Sequence, residues 1–433
     1  MVNIPPILKT KAELPLLTNS DFEIRSNSLY IFSFKLRFLI SEWQIYNNHN
    51  EKSIFLLPMK IAINCRLLLK NKLEGIGWYT FEIVKRIVKN HPEHKFYFLF
   101  DRPYHADFIF AKNVEPIILS PQARHPFLWY LWFEFSVAKF LRKNSIELFF
   151  SPDGYLSLRN NVKTVLTIHD LNFEYFPEQL PFLTRRYYRF FTPRFCRKAN
   201  IILTVSEQSK KDIVEQYNID KEKITAIYNG SNDLYEPLKE KEKQKIKDIY
   251  TNGSDYFYFV GSLHARKNII GLMKGFNQFC EKTQSDVKLL VIGEPMWKNK
   301  NTKQIFKKLK HKNRILFLGR KEIEELTKIA GSAIALAFVP FIEGFGIPLT
   351  EAMYCHTPII TSNVSCLPEI AENTAIYVNP NDENDIADAM KEMYFNTEKR
   401  TELKKNCEVR KASFSWDKAA EKVWNILEQN FSC

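Results

Sequence analysis

Short apolar runs alternate with longer, more polar stretches from Met59 almost to the end of the chain. Brief, fully apolar runs are typical of strands buried in a parallel sheet, and helices are expected between them. The predicted strands are residues 59–65, 95–100, 146–150, 162–168, 201–205, 224–227, 256–260, 288–292, 314–318, 333–339, 358–361 and 375–378. This alternation predicts an α/β fold with two doubly wound, Rossmann-like domains, each built on a parallel sheet.

The same rhythm sets the domain boundaries. Residues 1–58 are polar and irregular, and we interpret them as an N-terminal extension that is either poorly ordered or the product of a misassigned start. Residues 59–235 and 236–412 are the two predicted domains, with a charged surface helix near their junction. Residues 413–433 carry apolar residues at helical spacing and predict a C-terminal helix that packs back on the first domain.

Composition and net charge indicate which kinds of binding partner are favoured. The 433 residues are 45% hydrophobic, which is ordinary for a globular protein, and 62 Lys and Arg against 49 Asp and Glu give a net charge of +13. This excess favours anionic partners such as phosphorylated ligands, nucleic acid or an anionic membrane face. The alternative is a solvated, lysine-rich surface.

The cysteine pattern and the apolar runs argue against a disulfide-rich, a zinc-binding and a membrane-spanning protein. The seven cysteines are odd in number and contain no C-x-x-C pair, which argues against a disulfide framework or a zinc site and fits a reducing cytosol. The longest candidate for a membrane span, residues 28–40, is short and is interrupted by Lys35 and Arg37.

The strongest chemical signal is the segment Glu343-Gly-Phe-Gly-Ile-Pro-Leu-Thr-Glu351, which follows a predicted strand. Gly344 and Gly346 let the backbone approach a ligand closely, and Pro348 suits the first turn of a helix. We therefore predict a loop that holds Glu343, then a helix start with Glu351 in its first turn. Free N–H groups at a helix start favour a phosphate, and carboxylates accept hydrogen bonds from vicinal hydroxyls. A nucleotide-sugar combines both groups; the alternative is a plain helix start with Glu near its positive end.

A second signal is the turn Gly261-Ser-Leu-His-Ala-Arg266-Lys267-Asn268. It places two adjacent cations at a predicted helix start, where positive charge is unfavourable unless an anion binds nearby. Arg266 is suited to grip a phosphate with two N–H groups, and Lys267 to act as a point charge. We interpret the turn as a diphosphate site; the alternative is a solvated basic turn.

Two weaker signals lie in the first domain. His169 and Asp170 end a predicted strand, so His169 is expected to face the cleft and to bond a sugar hydroxyl; the alternative is a local bond to Asp170. Gly75 and Gly77 follow the first strand closely, where small residues let a diphosphate or an acceptor approach. The alternative there is a flexible loop before a helix.

Together these motifs resemble the retaining glycosyltransferases of family GT4, which have the GT-B fold. The resemblance rests on the E-x7-E loop, the G-S-L-x-x-R-K-N turn, the strand-end His-Asp pair and the junction Tyr228-Asn-Gly-Ser-Asn-Asp233, and it covers about residues 59–430. The segment 357–369 is also similar to the stretch that follows the second Glu in this family. The first domain would then hold the acceptor and the second the donor.

The resemblance also implies roles for single residues. Glu351 would bind the ribose hydroxyls, Glu343 the transferred sugar, and His169 the sugar from the opposite domain. Arg266 and Lys267 would hold the diphosphate and stabilise the leaving group. The predicted catalytic residues are Glu343, His169, Arg266 and Lys267, and the predicted nucleotide-sugar-binding residues are Glu351, Gly261, Ser262, Arg266, Lys267, Gly344, Phe345, Gly346, Ile347, Gly75 and Gly77.

One position departs from the family pattern. Many members carry Arg directly after the strand-end Gly, where this chain has Ser262, and we expect Arg266 to substitute for it. There is no D-x-D motif, and the resemblance implies a metal-independent hexosyltransferase without a cofactor. Its co-substrate would be a GDP- or UDP-linked sugar carrying mannose, glucose or galactose. The implied acceptor is a polysaccharide, a lipopolysaccharide or a lipid-linked oligosaccharide.

Two aromatic segments bear on localisation. Residues 185–194 interleave cations with aromatic side chains, and residues 125–133 are strongly apolar. Either segment could pack into the core, or residues 185–194 could contact an anionic membrane that presents a lipid-linked acceptor. We expect a cytoplasmic protein with peripheral contact at the inner face of the plasma membrane.

Other functions stay open on the same architecture. A nucleotide-sugar 2-epimerase would release a free product without an acceptor, and a non-catalytic nucleotide-sugar-binding protein would only hold the donor. A nicotinamide oxidoreductase is disfavoured because position 80 is Thr, so that G-x-G-x-x-G is absent. Nucleic-acid binding would rest on the net charge alone, so we do not expect it as a partner.

Overall fold

A computed structural model describes residues 58–70, 73–293 and 300–430 of the chain. Within these residues, thirteen strands form two sheets. The strands are β1 Lys60–Asn64, β2 Lys95–Phe100, β3 Val114–Ile118, β4 Leu148–Ser151, β5 Lys163–Ile168, β6 Ile201–Thr204, β7 Ile224–Ala226, β8 Tyr256–Val260, β9 Lys288–Ile292, β10 Ile315–Gly319, β11 Ala335–Phe338, β12 Ile359–Ser362 and β13 Ala375–Val378. The interpretation of residues 1–58 as an extension lies outside the described residues, except for Pro58.

Both sheets are doubly wound and their pairings are parallel. The first has the order β3-β2-β1-β4-β5-β6-β7 and the second β10-β9-β8-β11-β12-β13. The predicted α/β class is confirmed, as is each of the twelve predicted strands. The prediction missed β3, an edge strand that contains Pro116 and is only partly buried. Proline lacks the N–H of a central strand and is tolerated at a sheet edge, so this strand carries a weak apolar signal.

Helices connect most successive strands, although β4 runs to β5 without one and β2 runs to β3 through a short 3-10 helix. They are Gly75–Asn90, Pro126–Leu131, Ala138–Lys143, Asn172–Tyr175, Phe182–Lys198, Glu207–Tyr217, Glu240–Thr251, Ile269–Thr283, Lys300–Lys308, Ile323–Ser332, Ile347–Tyr354, Leu367–Ala371, Glu383–Phe395, Thr397–Arg410 and Trp416–Gln429, with a π-helix at Trp132–Val137. The helix Glu240–Thr251 confirms the charged helix predicted near the junction. A bilayer-spanning helix is absent from the described residues.

Alternation along each strand decides which core its side chains join. In β1, Ile61 and Ile63 join the core under the helix Gly75–Asn90, whereas Ala62 joins the opposite core with Trp132 and Phe133. Neighbouring side chains of a strand point to opposite faces, so a strand must be apolar throughout when both faces are covered. This explains why the buried strands read as continuous apolar runs in the sequence.

The C-terminal helix Trp416–Gln429 lies against the helix Gly75–Asn90 of the first sheet. Arg86 Nε donates to Asp417 Oδ1 at 2.5 Å, and the Trp424 ring stacks on His91 with centroids 3.7 Å apart. The chain thus crosses from the first sheet to the second and then returns to pack on the first.

Candidate active site between the two sheets

The E-x7-E segment forms a loop and a helix start at the carboxyl end of β11. Gly346 adopts a left-handed conformation with φ of 89°, and the helix Ile347–Tyr354 starts directly after it, with Pro348 in its first turn. The predicted order of strand, loop and helix is confirmed. One detail is wrong: Glu351 is the fifth helical residue and lies just beyond the first turn, because the helix begins as early as Ile347.

The basic turn after β8 meets this loop. Arg266 Nη1 lies 2.7 Å and Lys267 Nζ 2.5 Å from the same carboxylate oxygen, Oε1 of Glu343. The Phe341 N–H also donates to the Arg266 carbonyl oxygen at 2.9 Å, which fixes the two loops to each other. Glu343, Arg266 and Lys267 therefore converge, as the sequence predicted. Two cations share one carboxylate, so the three side chains keep one net positive charge.

The surroundings of Lys267 favour an anion. Burial lowers the pKa of Lys267, and the neighbouring Glu343 carboxylate opposes that shift. Asp170, which ends the strand β5 of the other sheet, also raises the pKa of Lys267. The ammonium lies 4.8 Å from the centroid of the Phe338 ring. A buried cation that needs anionic neighbours to stay charged is a suitable contact for a diphosphate.

Gly344 brings the loop against the first sheet. A Cβ at this position would lie 2.5 Å from the His169 carbonyl oxygen, closer than real Cβ contacts allow. The Gly344 carbonyl in turn accepts a hydrogen bond of 2.7 Å from the Ser206 hydroxyl, at the start of the helix Glu207–Tyr217. Glycine is therefore required here for the two strand ends to meet.

His169 lies on the first-sheet side of this junction. Its Nε2 is 2.8 Å from the Pro152 carbonyl oxygen, and its ring packs edge-on against Tyr79 at 4.7 Å. A carbonyl can only accept, so Nε2 carries the proton. Burial lowers the pKa of His169, so the ring is neutral at pH 7 and Nδ1 keeps a lone pair for a donor such as a sugar hydroxyl.

The alternative prediction for His169, a local bond between its ring and Asp170, is wrong. Asp170 does not bond its neighbour's ring; its Oδ1 accepts from the Asn172 N–H at 3.0 Å, which starts the short helix Asn172–Tyr175. The His169 ring therefore bonds the Pro152 carbonyl, and the Asp170 carboxylate bonds the backbone at the start of the next helix.

Glu351 lies in the helix Ile347–Tyr354, next to Tyr235. Burial raises its pKa to about 7, and the neighbouring Tyr235 hydroxyl partly offsets that shift. Tyr235 follows the junction between the domains and is itself buried. Glu351 can therefore be protonated near neutral pH, unlike an ordinary carboxyl group.

The remaining predicted residues surround this centre. Gly261 ends β8 and its N–H donates to the Ile292 carbonyl at 3.0 Å, while Ser262 is exposed. Phe345 is buried, with its ring 6.1 Å from Tyr228 and 5.9 Å from Phe414. It therefore packs on both crossings between the sheets and does not line an open ligand surface.

Gly75 and Gly77, which follow β1, lie in the first turn of a helix. The alternative prediction of a flexible loop at these glycines is wrong. Gly75 is the first residue of the helix Gly75–Asn90 and has free space around it, whereas Gly77 packs against the Leu67 carbonyl. Glu74, just before this helix, acts on His264 of the basic turn: burial, Arg266 and Lys267 lower the pKa of His264, and Glu74 raises it. The residue before this helix is therefore close enough to the basic turn to act on it electrostatically.

Three features of the site escaped the sequence prediction. Glu369 accepts hydrogen bonds from the N–H groups of Glu207 and Gln208 at 2.7 and 3.0 Å, which joins the two sheets. Ser206 and Ser209 both donate to the Gly344 carbonyl. These pairs are more than 130 positions apart, so no local pattern could reveal them.

The third feature is a buried ion pair at the carboxyl ends of β1 and β4. Arg66 Nε lies 2.6 Å from Asp153 Oδ2, and its guanidinium lies 4.1 Å from the Tyr155 ring centroid. Each residue lies two positions after one of two strands that pair with each other, so the rule that parallel strand ends converge was the available signal. Among the described residues, no three His, Cys, Asp or Glu side chains are grouped as metal ligands.

Comparison with known proteins agrees with this geometry. The family description "Glycosyl transferases group 1" matches residues 240–410, and "Glycosyltransferase Family 4" matches residues 73–233. The O-antigen chain mannosyltransferase RfbU of Salmonella typhimurium is 30% identical over 297 residues, which are 66% of this chain and 78% of that protein. The O-antigen chain mannosyltransferase B of Escherichia coli is 27% identical over 325 residues, 72% and 85% of the two chains.

Solved structures support the fold. Anabaena HepE, crystallised in complex with UDP and glucose, superimposes with a TM-score of 0.68 at 17% identity, covering 86% of this chain and 100% of its own. That similarity confirms the predicted GT-B architecture of two Rossmann-like domains. The Salmonella relative, together with the two family matches, establishes that the chain belongs to glycosyltransferase family 4.

Proposed function

We propose that this chain transfers a hexose from a nucleotide-sugar to a glycan acceptor, and that the hexose is mannose. Two relatives that are similar over most of this chain's folded part are O-antigen chain mannosyltransferases, which supports mannose over glucose or galactose. The acceptor is then the growing sugar chain of a lipopolysaccharide or a related lipid-linked oligosaccharide. The base of the donor, guanine or uracil, is decided by the experiment below.

The convergence of Arg266 and Lys267 on Glu343 carries this proposal. The three side chains hold one net positive charge at the junction of the two sheets. A donor diphosphate supplies the missing negative charge and contacts both cations, and the Glu343 carboxylate then accepts hydrogen bonds from hydroxyls of the sugar. Glu351, in the helix that follows the Glu343 loop, binds the ribose hydroxyls.

The proposed transfer retains the anomeric configuration. The bond from the sugar C1 to the diphosphate oxygen breaks, and the acceptor hydroxyl oxygen forms its bond to C1 on the same face. The hydroxyl proton passes to the departing diphosphate, so that charge and atoms balance. Arg266 and Lys267 stabilise the negative charge that develops on the leaving group, and neutral His169 accepts a hydrogen bond from the sugar through Nδ1.

Metal independence is part of the proposal. The two side-chain cations neutralise the leaving diphosphate in the role that a divalent ion plays in other transferases. Turnover should therefore persist when EDTA is present in excess over all divalent ions. A loss of activity that added Mg²⁺ or Mn²⁺ restores would overturn this part alone.

The experiment combines donor binding with product analysis. Thermal shifts with GDP-mannose, UDP-glucose and UDP-galactose identify the donor, because a ligand that binds only the folded chain raises its melting temperature. NMR of the product formed on a lipid-linked oligosaccharide then gives the anomeric configuration. We expect stabilisation by GDP-mannose and a retained α-mannosyl product. Release of a free epimerised sugar nucleotide would favour the 2-epimerase, and binding without turnover a non-catalytic protein.

The proposal includes a cellular location. A lipid-linked acceptor is presented at the cytoplasmic face of the plasma membrane while nucleotide-sugars are in the cytosol. We therefore infer a cytoplasmic enzyme with peripheral contact at that face. The exposed side chains of Phe182 and Leu183, with Arg185 and Arg186 beside the Phe182 ring in the first domain, support this inference.

A further inference from the structure

The buried ion pair of Arg66 and Asp153 lies next to the residue that holds the His169 ring. Asp153 directly follows Pro152, whose carbonyl oxygen bonds His169 Nε2 at 2.8 Å. The side chains of Arg66 and Asp153 are only 6% and 2% exposed, and no step of the proposed transfer uses them. An ion pair buried to this extent gains little net stability, because both charges lose their water. Its place beside Pro152 indicates a role other than stability.

The Asp153 carboxylate accepts hydrogen bonds on both oxygens. Oδ2 accepts from Arg66 Nε at 2.6 Å. Oδ1 accepts from Asn64 Nδ2 at 2.7 Å, from the Ser151 hydroxyl at 3.2 Å and from the Tyr155 N–H at 3.3 Å. A carboxylate offers about four lone-pair positions, so these donors satisfy it. The side chain is therefore held in one position, and the backbone that carries it is held as well.

The Pro152 carbonyl lies between two residues of this network. Ser151, on one side, ends the strand β4, and its hydroxyl accepts from Asn64 Nδ2 at 3.1 Å. Asp153, on the other side, is held by its ion pair. Pro152 is itself buried, and its ring restricts the backbone φ to about −65°. The carbonyl oxygen that His169 bonds is therefore confined to one direction.

The direction of this carbonyl decides which nitrogen of His169 carries the proton. A neutral imidazole has a single N–H, and a carbonyl bonded at Nε2 places the proton there and leaves Nδ1 as the acceptor. The Tyr79 ring packs edge-on against His169 at 4.7 Å, which restricts the tilt of the imidazole but does not choose between its nitrogens. The hydrogen bond to Pro152 therefore sets the tautomer.

We propose that Arg66 and Asp153 are positioning residues for His169 and act through the Pro152 carbonyl. They hold this carbonyl towards Nε2, which keeps the Nδ1 lone pair available for a hydroxyl of the transferred sugar. Supporting groups behind a functional histidine commonly fix its orientation and its tautomer in this way. The inference rests on the proposed function, since it takes His169 as the residue that bonds the sugar.

The tautomer of His169 tests the proposal without any turnover. In protein with ¹⁵N-labelled histidine, NMR shows which ring nitrogen is protonated, and His169→Gln assigns the signals among the 9 histidines of the chain. At about pH 8, where the ring is neutral, we expect the pure Nε2–H form in the wild type. A wild-type His169 that is protonated on Nδ1 would overturn the proposal.

The test variant is Arg66→Met/Asp153→Leu. Both side chains are replaced together, because removing one would leave an unpaired charge in a buried site. Without the pair the Pro152 carbonyl is free to turn, so we expect a mixture of the two His169 tautomers. A double variant that keeps the pure Nε2–H form would show that the pair does not position the ring.

Asn64→Ala is a milder second variant. It removes the donor that Ser151 and Asp153 share on the two sides of Pro152, and it leaves the ion pair in place. It should shift the tautomer in the same direction as the double variant. Folding of every variant is checked by the thermal shift with GDP or UDP, because the proposed diphosphate contacts lie in the second domain.

Turnover gives a readout that a purely structural role would not move. The double variant should lose about tenfold to a hundredfold in kcat, the range typical of groups that orient a functional histidine. Adding Arg66→Met/Asp153→Leu to His169→Gln should cost little more than His169→Gln alone, because both changes remove the same contact to the sugar. Losses that multiply would mean that the pair acts by another route, and the proposal would fail.

The matched control is Arg102→Met/Asp101→Leu. This pair follows β2, on the side of β1 away from β4, and Arg102 Nε lies 2.6 Å from Asp101 Oδ1. Among the described residues, its hydrogen bonds outside the pair reach the Ala123 N–H and leave the Pro152 carbonyl untouched. The control should keep the Nε2–H tautomer and wild-type turnover. A control that loses both as fully as the test variant would contradict a specific role for Arg66 and Asp153.

The two proposals fail in different ways. A wild type that neither binds a nucleotide-sugar nor transfers a hexose would overturn the proposed function, and the tautomer experiment would still decide whether the pair positions His169. Transfer by the wild type, together with a double variant that keeps both tautomer and turnover, would overturn the positioning role and leave the proposed function standing.

Discussion

The ammonium of Lys267 lies 2.5 Å from the Glu343 carboxylate oxygen that Arg266 also contacts. This pairing joins the turn after β8 to the loop after β11. The carboxylate also offsets the repulsion between the two neighbouring cations. A buried charge pair gains little net stability, because desolvation offsets most of the attraction. The three side chains keep one net positive charge, and an incoming diphosphate competes with Glu343 for the two cations.

Replacing Glu343 by Gln should separate binding from turnover. Without the carboxylate, Arg266 and Lys267 lose an internal anion, so a nucleoside diphosphate should bind more tightly, by about fivefold. Turnover of the intact donor should fall by about a hundredfold, because the sugar loses a charged hydrogen-bond acceptor. Calorimetry with the diphosphate and steady-state kinetics with the donor measure the two effects.

The matched control is Glu383→Gln. Glu383 pairs with Lys274 at 2.6 Å in the same domain, but both side chains are partly exposed. Such a surface pair contributes about 1 kcal/mol or less, so neither binding nor turnover should change. Weaker diphosphate binding by Glu343→Gln would contradict the assignment of the two cations to the diphosphate.

Glu351 should make stability depend on pH. Burial raises its pKa from 4.5 to about 7, so between these values the folded chain holds a proton that the unfolded chain releases. Stability from this group is therefore present below pH 4.5 and is lost as pH rises to 7. Glu351→Gln removes the effect, so its advantage over the wild type should grow from pH 5 to pH 7.5 and reach on the order of 2 kcal/mol.

Urea unfolding at several pH values measures this difference. Glu324→Gln, at an exposed position of the helix Ile323–Ser332, is the control and should leave the wild-type pH dependence unchanged. A Glu351→Gln curve parallel to that of the wild type across this range would show that the Glu351 pKa is not raised.

Gly344→Ala tests the close approach of the two domains. The new Cβ would meet the His169 carbonyl oxygen at 2.5 Å, so the loop must move away from the first sheet. We expect a loss of about 1–3 kcal/mol in stability, together with reduced turnover. Gly75→Ala is the control for stability: a Cβ there meets no atom within 4 Å, so the substitution at this first helical position should not lower stability. Equal melting temperatures for the two variants would refute the contact.

Glu369 should protect two amides of the opposite domain. Its carboxylate accepts the N–H groups of Glu207 and Gln208, so Glu369→Ala should cost about 1 kcal/mol and speed hydrogen exchange at these amides. In the control Asp382→Ala, the lost cap belongs to the helix Glu383–Phe395 of the same domain. Exchange should then rise at Asn384 and Asp385 only. Unchanged exchange at Glu207 in the Glu369 variant would rule out the contact between the sheets.

Local patterns predicted most of the fold and the parts of the site that are contiguous in sequence. The strands were visible because burial on both faces requires continuous apolar runs, and β3 was missed because an edge strand with Pro116 does not. The loop of Glu343 and the turn of Arg266 and Lys267 were each visible from their glycines and charges. Their expected meeting at strand ends follows from the topology of parallel sheets.

Contacts between distant segments could not be predicted. The bond from Ser206 to Gly344 joins residues 138 positions apart, and the bond from Glu207 to Glu369 joins residues 162 apart. Neither a serine before a helix nor a glutamate after a proline shows which distant backbone it will contact. Glu351 lies just beyond the predicted first turn because the helix boundary depends on where the left-handed residue Gly346 ends the loop.

The most direct test of the site is a calorimetric cycle of two nucleotides and two proteins. GDP and GMP, or UDP and UMP if uracil is the base, are titrated into the wild type and into Lys267→Ala. If Lys267 holds the diphosphate, the wild type binds the diphosphate about tenfold or more tightly than the monophosphate, and the variant loses most of that difference. A variant that keeps the full difference between the two nucleotides would contradict the account.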